Sequence, residues 1–249
     1  MGVLHSYFLW WGDILMVYAL VGLALVLFRR APDGVLLWGG LFIALILPTL
    51  LAPWLGGALP GLPSRDEINA EALQAFRGGD WGRVFTMNVE MVNWTRLSGG
   101  ILICFVLGRF LLGYWAGRRQ LFQQPQAHVA LFKKLFCGGL LIAAAGTAFQ
   151  AAKTHLGWGA EITPRWVNGF LFRLDSLALG VAYAAGFTLL FLRPVGARML
   201  RVLAPVGRMA LTHYLCQSVL GIALFYGIGL GLGPWTGTIG WLLAWAGIF

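Results

Sequence analysis

Charge is scarce in this sequence. Asp, Glu, Lys and Arg make up 11% of its 249 residues, where a soluble domain carries about 25%. Acids are the scarcer sign, nine against eighteen Lys and Arg. So little polar surface cannot coat a water-soluble core. With 59% apolar residues and a mean hydropathy of +0.78, the bilayer becomes the natural solvent. Cysteine is nearly absent as well. Cys104, Cys137 and Cys216 each fall inside an apolar block, with no CxxC pair and no His/Cys cluster, which excludes a disulfide framework and a metal site. Strict apolar/polar alternation over about ten residues is missing, and this argues against barrel strands. The glycine-rich stretch "GIGLGLGPWTG" follows no strand and precedes no helix with a Lys, so both nucleotide-binding fingerprints fail. Its Gly227/Gly231 and Gly229/Gly233 spacings suit close helix contact instead.

What is present is a series of apolar blocks: Tyr7–Phe28, Val35–Leu55, Leu97–Gly117, Leu135–His155, Phe170–Leu192, Met209–Leu232 and Trp235–Phe249. Each is long enough, or nearly so, to cross about 30 Å of hydrocarbon at ~20 residues per span. The expected fold is all-α, a polytopic membrane bundle of about seven transmembrane helices in one domain over residues 1–249, without internal repeats. The first block lacks a basic n-region and a cleavage site, so it is a retained helix and not a signal peptide. The net charge of +9 does not point to nucleic acid, because of where it falls. Arg29, Arg30, Arg118, Arg119, Lys133, Lys134, Arg193, Arg198, Arg201 and Arg208 occupy alternate loops, the positive-inside pattern. This sets Met1 outside and Phe249 near the cytoplasm. The outer loop, residues 56–83, holds Ser64 followed by Glu67, a capping box that predicts a helix over about Arg65–Phe76 ended by Gly78 and Gly79. The basic cytoplasmic loop, residues 118–134, mixes Phe and Leu with its charges and suits an interfacial segment.

Ionisable groups at bilayer depth cost about 2.5–3.5 kcal/mol each and are functional candidates by default. Asp13 lies 16 residues from Arg29, about 24 Å along a continuous helix, under the outer interface. His5 comes out about two turns further out on broadly the same face, and Arg173 and Asp175 lie near the outer boundary. Glu90, Asn93 and Arg96 enter the third block from outside at i, i+3 spacing, where adjacent members can touch. These residues suit a hydrated cavity open to the outside. In it Asp13 pairs with Arg173 or Arg96, or orients His5 as a general base; a structural ion pair or snorkelling beside Trp10 and Trp11 fits equally well. A second group, Arg109, Arg208, Thr212, His213, Gln217 and Ser218, lies toward the cytoplasm. There His213 and Gln217 share a helix face at i, i+4. That face suits an anionic donor, or merely hydrogen bonds between helices.

Three stretches, "LHSYFLWWGDILMVYALVGL" at 4–23, "LGRFLLGYWAGRRQLF" at 107–122 and "PVGRMALTHYLCQSVLGIALFYGIGLGLG" at 205–233, resemble the YeiB-type family of bacterial membrane proteins, a domain family of unknown function. That family is in turn similar to transmembrane acyltransferases, which move acyl groups from a cytosolic donor to extracytoplasmic sugars. The resemblance covers essentially the whole chain. It departs from the family in lacking upstream helices and an "LD..RG"-like motif, in having His213 where Asn is more common, and in a shortened final helix. The chain is therefore expected to be part of a longer protein.

The resemblance implies an acyltransferase of the bacterial inner membrane acting on an envelope glycan or lipid. Acyl-CoA is its donor substrate and no cofactor is implied. His5, Asp13 and His213 are then the candidate catalytic residues. Glu90, Asn93, Arg96, Arg173 and Asp175 are candidates for binding the acceptor, and Arg109, Arg208 and Gln217 for binding the donor. A transporter of a small polar or lipid-linked molecule accounts for intramembrane charge as well, although no inverted repeat is visible. A non-catalytic scaffold is the third reading.

Overall fold

A chain with long apolar runs and no water at hand can satisfy its backbone only inside helices or closed barrels. A computed structural model describes residues 1–55, 61–157 and 163–233, with Gly240, Leu242 and Gly247 beyond them. Every regular element among these residues is helical. In order they are α1 (Gly2–Phe8), α2 (Leu15–Leu25), α3 (Leu47–Leu55), α4 (Arg65–Arg77), α5 (Trp81–Ser98), α6 (Gly100–Arg118), α7 (Val129–Leu156), α8 (Arg165–Phe191), α9 (Pro194–Arg201), α10 (Ala204–Arg208) and α11 (Ala210–Phe225). Three helical stretches, Gly100–Arg118, Pro125–Leu156 and Arg165–Phe191, are long and apolar enough to cross a membrane, while Leu15–Phe28, Val35–Leu51 and Ala210–Phe225 are apolar but shorter. The chain is a helical membrane protein. Apart from the three positions named above, the expected last block, Trp235–Phe249, lies outside the described residues.

The first block is not the continuous helix expected over Tyr7–Phe28. It breaks between Phe8 and Leu15. The N–H groups of Leu9 and Trp10 both close on the carbonyl of His5, and the chain restarts where Asp13 Oδ2 accepts the Met16 N–H at 3.0 Å. Gly12 and Asp13 explain the break: glycine has the most backbone freedom to lose, and Asp competes for backbone donors and favours helix starts. The second block is also irregular. Wide helical turns at Val35–Gly39 and Phe42–Ile46 precede α3, just before Pro48, which has no N–H to return to the preceding turn.

Contacts group the chain into two compact units. The first comprises Met1–Leu20, Gly57–Gly100 and Pro205–Phe249. Its core joins Ile68, Ala72 and Ala75 of α4 to Met87 and Met91 of α5, with Trp11, Phe76 and Trp94 packed around them. The expected capping box is formed. The Ser64 N–H donates to Glu67 Oε2 at 2.7 Å and the Glu67 N–H returns to Ser64 Oγ at 3.3 Å, and Gly78 ends the helix. After α11 the chain meets the end of α4. Phe76 stacks on Tyr226 at 4.5 Å, and the Gly227 N–H reaches the Phe76 carbonyl at 2.8 Å. A Cβ on Gly227 would lie 2.1 Å from the Arg77 carbonyl oxygen, so the glycine serves a close backbone approach.

The second unit comprises Val21–Gly56 and Ile101–Ala204. Small residues let its helices close on one another, the usual device where lipid removes the hydrophobic drive. A Cβ on Gly108 of α6 would stand 2.5 Å from the Ala44 nitrogen, and one on Gly139 of α7 would stand 2.6 Å from the Ala178 oxygen of α8. The basic stretch at 118–134 is mostly built into structure. Arg118 and Arg119 pair with Asp33 at 3.4 and 2.6 Å, and α7 begins at Val129, so Lys133 and Lys134 belong to its first turns.

Two outcomes follow from this packing. Gly108→Ala is expected to cost about 1–3 kcal/mol through overpacking. Gly113→Ala on the same helix, where a Cβ meets nothing within 4 Å, is neutral or slightly stabilising on helix propensity. Chemical unfolding in detergent distinguishes them, and equal losses would refute the tight α6 contact. The Ser64 backbone N–H, and secondly its side chain, hold the exposed Glu67 carboxyl below its ordinary value. A lowered folded value means that the cap supports α4 above the usual Glu pKa of about 4.3 and loses that support as pH falls through the lowered one. Amide exchange in α4 should therefore accelerate on acidification below that range, and Glu67→Gln should flatten the dependence.

Candidate functional site

Burying a polar side chain costs free energy unless it is hydrogen-bonded. Among the described residues the buried polar ones are His5, Ser6 and Asn88, and all three gather in the first unit. The break after α1 makes this possible. It turns Asp13 back toward His5, so that two residues eight apart meet side chain to side chain. His5 Nδ1 lies 2.9 Å from Asp13 Oδ1, with the two side chains 2% and 0% exposed. A carboxylate only accepts, so Nδ1 carries the proton. The other ring nitrogen, Nε2, lies 2.9 Å from Ser218 Oγ on α11. With the proton on Nδ1, the neutral ring presents its Nε2 lone pair to that hydroxyl.

Asp13 needs no cation. Its Oδ1 also accepts the Tyr214 hydroxyl at 3.3 Å, and its Oδ2 caps α2 through the Met16 N–H. The Tyr214 ring packs against the His5 ring at 5.0 Å. Tyr214 and Ser218, one turn apart on α11, thus hold the Asp13–His5 pair from one side. Close approach of α1 to the start of α2 requires Gly2, where a Cβ would stand 2.5 Å from the Met16 nitrogen.

α5 supports α1 from the other side. Asn88 Nδ2 donates to the carbonyls of Ser6 and Tyr7 at 2.9 and 2.8 Å. Arg96 donates to the Tyr7 hydroxyl at 2.7 Å and to Ser6 Oγ at 2.9 Å, and its guanidinium lies over the Tyr7 ring at 4.6 Å. The Tyr7 hydroxyl in turn donates to Asn93 Oδ1 at 3.1 Å. Arg96 is therefore engaged by α1, and by Met16 Sδ at 2.8 Å; of the alternatives for Asp13 the structure forms the one with His5 and not the pair with Arg96. Asn93 and Arg96 meet through Tyr7. Glu90 is exposed and lines a shallow polar cavity with Glu71, Asp80 and Arg83. His213 and Gln217 are half-buried on α11 and Arg208 is exposed at the end of α10; the His213 side chain makes no hydrogen bond among the described residues.

The remaining expected residues belong to the second unit. Arg109 donates to the Phe105 carbonyl at 3.2 Å and to Ser176 Oγ at 3.3 Å, at the edge of an otherwise apolar cavity of about 480 Å³ lined by α6, α7 and α8. Arg173 donates to Thr49 Oγ1, while its Nε and Asp175 Oδ1 are buried without a hydrogen-bond partner. Asp175 lies against Gly146 of α7, where a Cβ would stand 2.8 Å from its Oδ1.

One expectation is corrected by this geometry. Ser218 is expected toward the cytoplasm and His5 near the outer face, yet they share a hydrogen bond. Depth counted at 1.5 Å per residue holds only along an unbroken helix, and the first block is broken. Tyr214, Ser6, Tyr7 and Asn88 also belong to the site and are absent from the residues the sequence singles out. The available signal was the i, i+4 pairing of Tyr214 with Ser218 on one face of α11.

Comparison with known proteins relates the chain to a family. Residues 116–249 match the family described as "Protein of unknown function (DUF418)". The chain is similar to "Uncharacterized protein YxaH" of Bacillus subtilis (strain 168), 25% identical over 245 residues that cover 93% of this chain and 58% of that protein. It is similar also to "Uncharacterized protein YeiB" of Escherichia coli (strain K12), 29% identical over 243 residues that cover 92% of this chain and 61% of that protein. The chain thus spans about three-fifths of the length of these curated relatives. No solved structure matches it.

Asp13→Ala is expected to strand the buried His5 Nδ1–H and the Met16 N–H in the first turn of α2, at about 1–3 kcal/mol for each buried group left unsatisfied. Asp13→Asn keeps one carbonyl oxygen, enough for either the His5 Nδ1–H or the Met16 N–H but not for both, and should lose less than Asp13→Ala. Unfolding in detergent measures both. Asp13→Ala within about 0.5 kcal/mol of the parent, the range of ordinary surface changes, would contradict the arrangement.

Proposed function

The chain belongs to the DUF418 family of proteins of unknown function, the YeiB-type family, and from that premise we propose that it is an acyltransferase-like protein of the bacterial inner membrane. It moves an acyl group from a cytosolic thioester such as acyl-CoA to a hydroxyl or amine of an envelope glycan or lipid. The observation that carries this reading is the buried Asp13–His5 pair, with Nδ1 engaged by the carboxylate and Nε2 turned to a hydroxyl. Asp13 orients the ring and steadies the imidazolium that forms when Nε2 takes a proton. A positioned base of this kind contributes about 10²–10⁴-fold. Basic residues at 29–30, 118–134 and 193–208 support an orientation with these loops in the cytoplasm. In that orientation Arg208, exposed beside α11, meets donor phosphate from the cytosol, with His213 and Gln217 on the adjoining turns. Asn93 and Arg96 brace α1 and so serve acceptor binding indirectly, while Glu90 stands free on α5 to meet it.

A transport reading draws on a different observation, the buried and unpartnered Arg173 Nε and Asp175 Oδ1 within α8. Polar groups so placed serve ion coupling in transporters. Uptake of a labelled polar solute into liposomes, without covalent change and lost in Asp175→Asn, would favour it.

The acyltransferase reading is tested with labelled acetyl-CoA and an envelope extract supplied to the chain in nanodiscs. Transfer of label is expected, reduced about 10²–10⁴-fold in His5→Ala, with Asp13→Asn also impaired. Arg208→Ala should raise the donor KM and leave kcat alone. Transfer indifferent to His5→Ala would overturn the role of His5.

A further inference from the structure

We infer that Ser218 is a nucleophile that carries the acyl group covalently between donor and acceptor. The inference rests on the acyltransferase reading and deepens it. A nucleophilic hydroxyl needs a base within hydrogen-bond reach and a third group that orients the base. Ser218 Oγ, His5 Nε2, His5 Nδ1 and Asp13 Oδ1 form that sequence with both contacts at 2.9 Å. The same order of roles recurs on unrelated folds and is recognised by geometry.

Ser218 has a single hydroxyl proton and two acceptors for it, His5 Nε2 at 2.9 Å and the Tyr214 carbonyl at 3.2 Å. A serine inside a helix satisfies itself at the i−4 carbonyl alone, so helix structure does not require the histidine. The shorter contact to Nε2 sets Ser218 up to lose its proton. The same unit holds an apolar cavity of about 310 Å³ walled by Phe8, Leu9, Val219 and Ile222, with Asn88 and Tyr226 also on its lining. Val219 adjoins Ser218 in sequence, and Phe8 ends the helix that holds His5. Asn88 Oδ1 and the Tyr226 hydroxyl are buried there without a hydrogen-bond partner, and both residues are less than a tenth exposed. This pocket suits an acyl chain that brings a polar group of its own to those two atoms.

In the first half-reaction Ser218 Oγ attacks the thioester carbonyl while its proton passes to His5 Nε2. The C–S bond breaks, and the thiolate takes that proton and leaves as the thiol. In the second, the acceptor hydroxyl or amine gives its proton to Nε2 and attacks the seryl ester. The ester C–O bond breaks, and the proton returns to Ser218 Oγ. One acyl thioester and one acceptor are consumed, and one ester or amide and one thiol are formed.

The test uses the full chain in nanodiscs with a fluorophosphonate probe and, separately, with labelled acetyl-CoA quenched in acid before acceptor is added. Peptide mass spectrometry is expected to place both labels on Ser218, with labelling at least 100-fold slower in His5→Ala. Because the label is mapped on the parent chain, the result does not depend on how Ser218→Ala folds. No label at Ser218 on the parent chain overturns the inference. Transfer retained in Ser218→Ala but lost in His5→Ala shows direct transfer to the acceptor, which overturns the inference and leaves His5 as base. Transfer unaffected by either substitution overturns both.

Discussion

The first unit depends on a carboxylate that can be buried without a counter-cation. Asp13 achieves this with donors from three sources, the imidazole of His5, the hydroxyl of Tyr214 and the backbone N–H of Met16. Each comes from a different element, so satisfying one side chain fixes α1, the start of α2 and α11 relative to one another. The same carboxylate therefore ends one apolar run, starts the next helix and sets the proton on His5. In a low-dielectric site such hydrogen bonds are strong when made and costly when missing. The break after Phe8 brings Asp13 within reach of His5 and so lets this network form.

Around that centre, α5 works as a clamp. Asn88, Asn93 and Arg96 all act on Ser6 and Tyr7, the two residues after His5, so the imidazole is held by backbone as well as by side chains. Support of this kind is what keeps a reacting group within a few tenths of an ångström of its working position. α4, capped by Ser64 and Glu67, packs on α5 through Ile68, Ala72 and Ala75 and stiffens the clamp. The second unit follows a different logic. Its helices close over glycine and alanine contacts, and Arg109 and Arg173 donate to the hydroxyls of Ser176 and Thr49.

Local features of the sequence were readable, the cap and stop of α4 to the residue and the long helices more coarsely, with α7 starting at Val129 and α8 at Arg165 where Leu135 and Phe170 were expected. The capping box at Ser64 and Glu67, the stop at Gly78, the helices α6, α7 and α8, and the oddity of Asp13 all follow from spacing and composition, because each depends on neighbours within a turn or two. The apposition of His5 to Ser218 spans 213 positions, and no periodicity reports on it. The depth estimate failed for a related reason, since it assumed that an apolar run is one helix. Gly12 and Asp13 carried the warning. The true partner of Arg96 was hidden because a guanidinium meets hydroxyls and rings as readily as it meets an acid, and only the fold decides which is near.

The central claim is that Asp13 holds the proton of His5 on Nδ1 and leaves Nε2 free to accept one. Nitrogen NMR of histidine-labelled chain in nanodiscs, with His5 assigned by its loss in His5→Gln, measures this directly. The expected spectrum has the proton on Nδ1 and a bare Nε2, with resonances that move in Asp13→Asn. A neutral ring bare at Nδ1 and protonated at Nε2 would contradict it, because a carboxylate cannot accept from a nitrogen that has no proton.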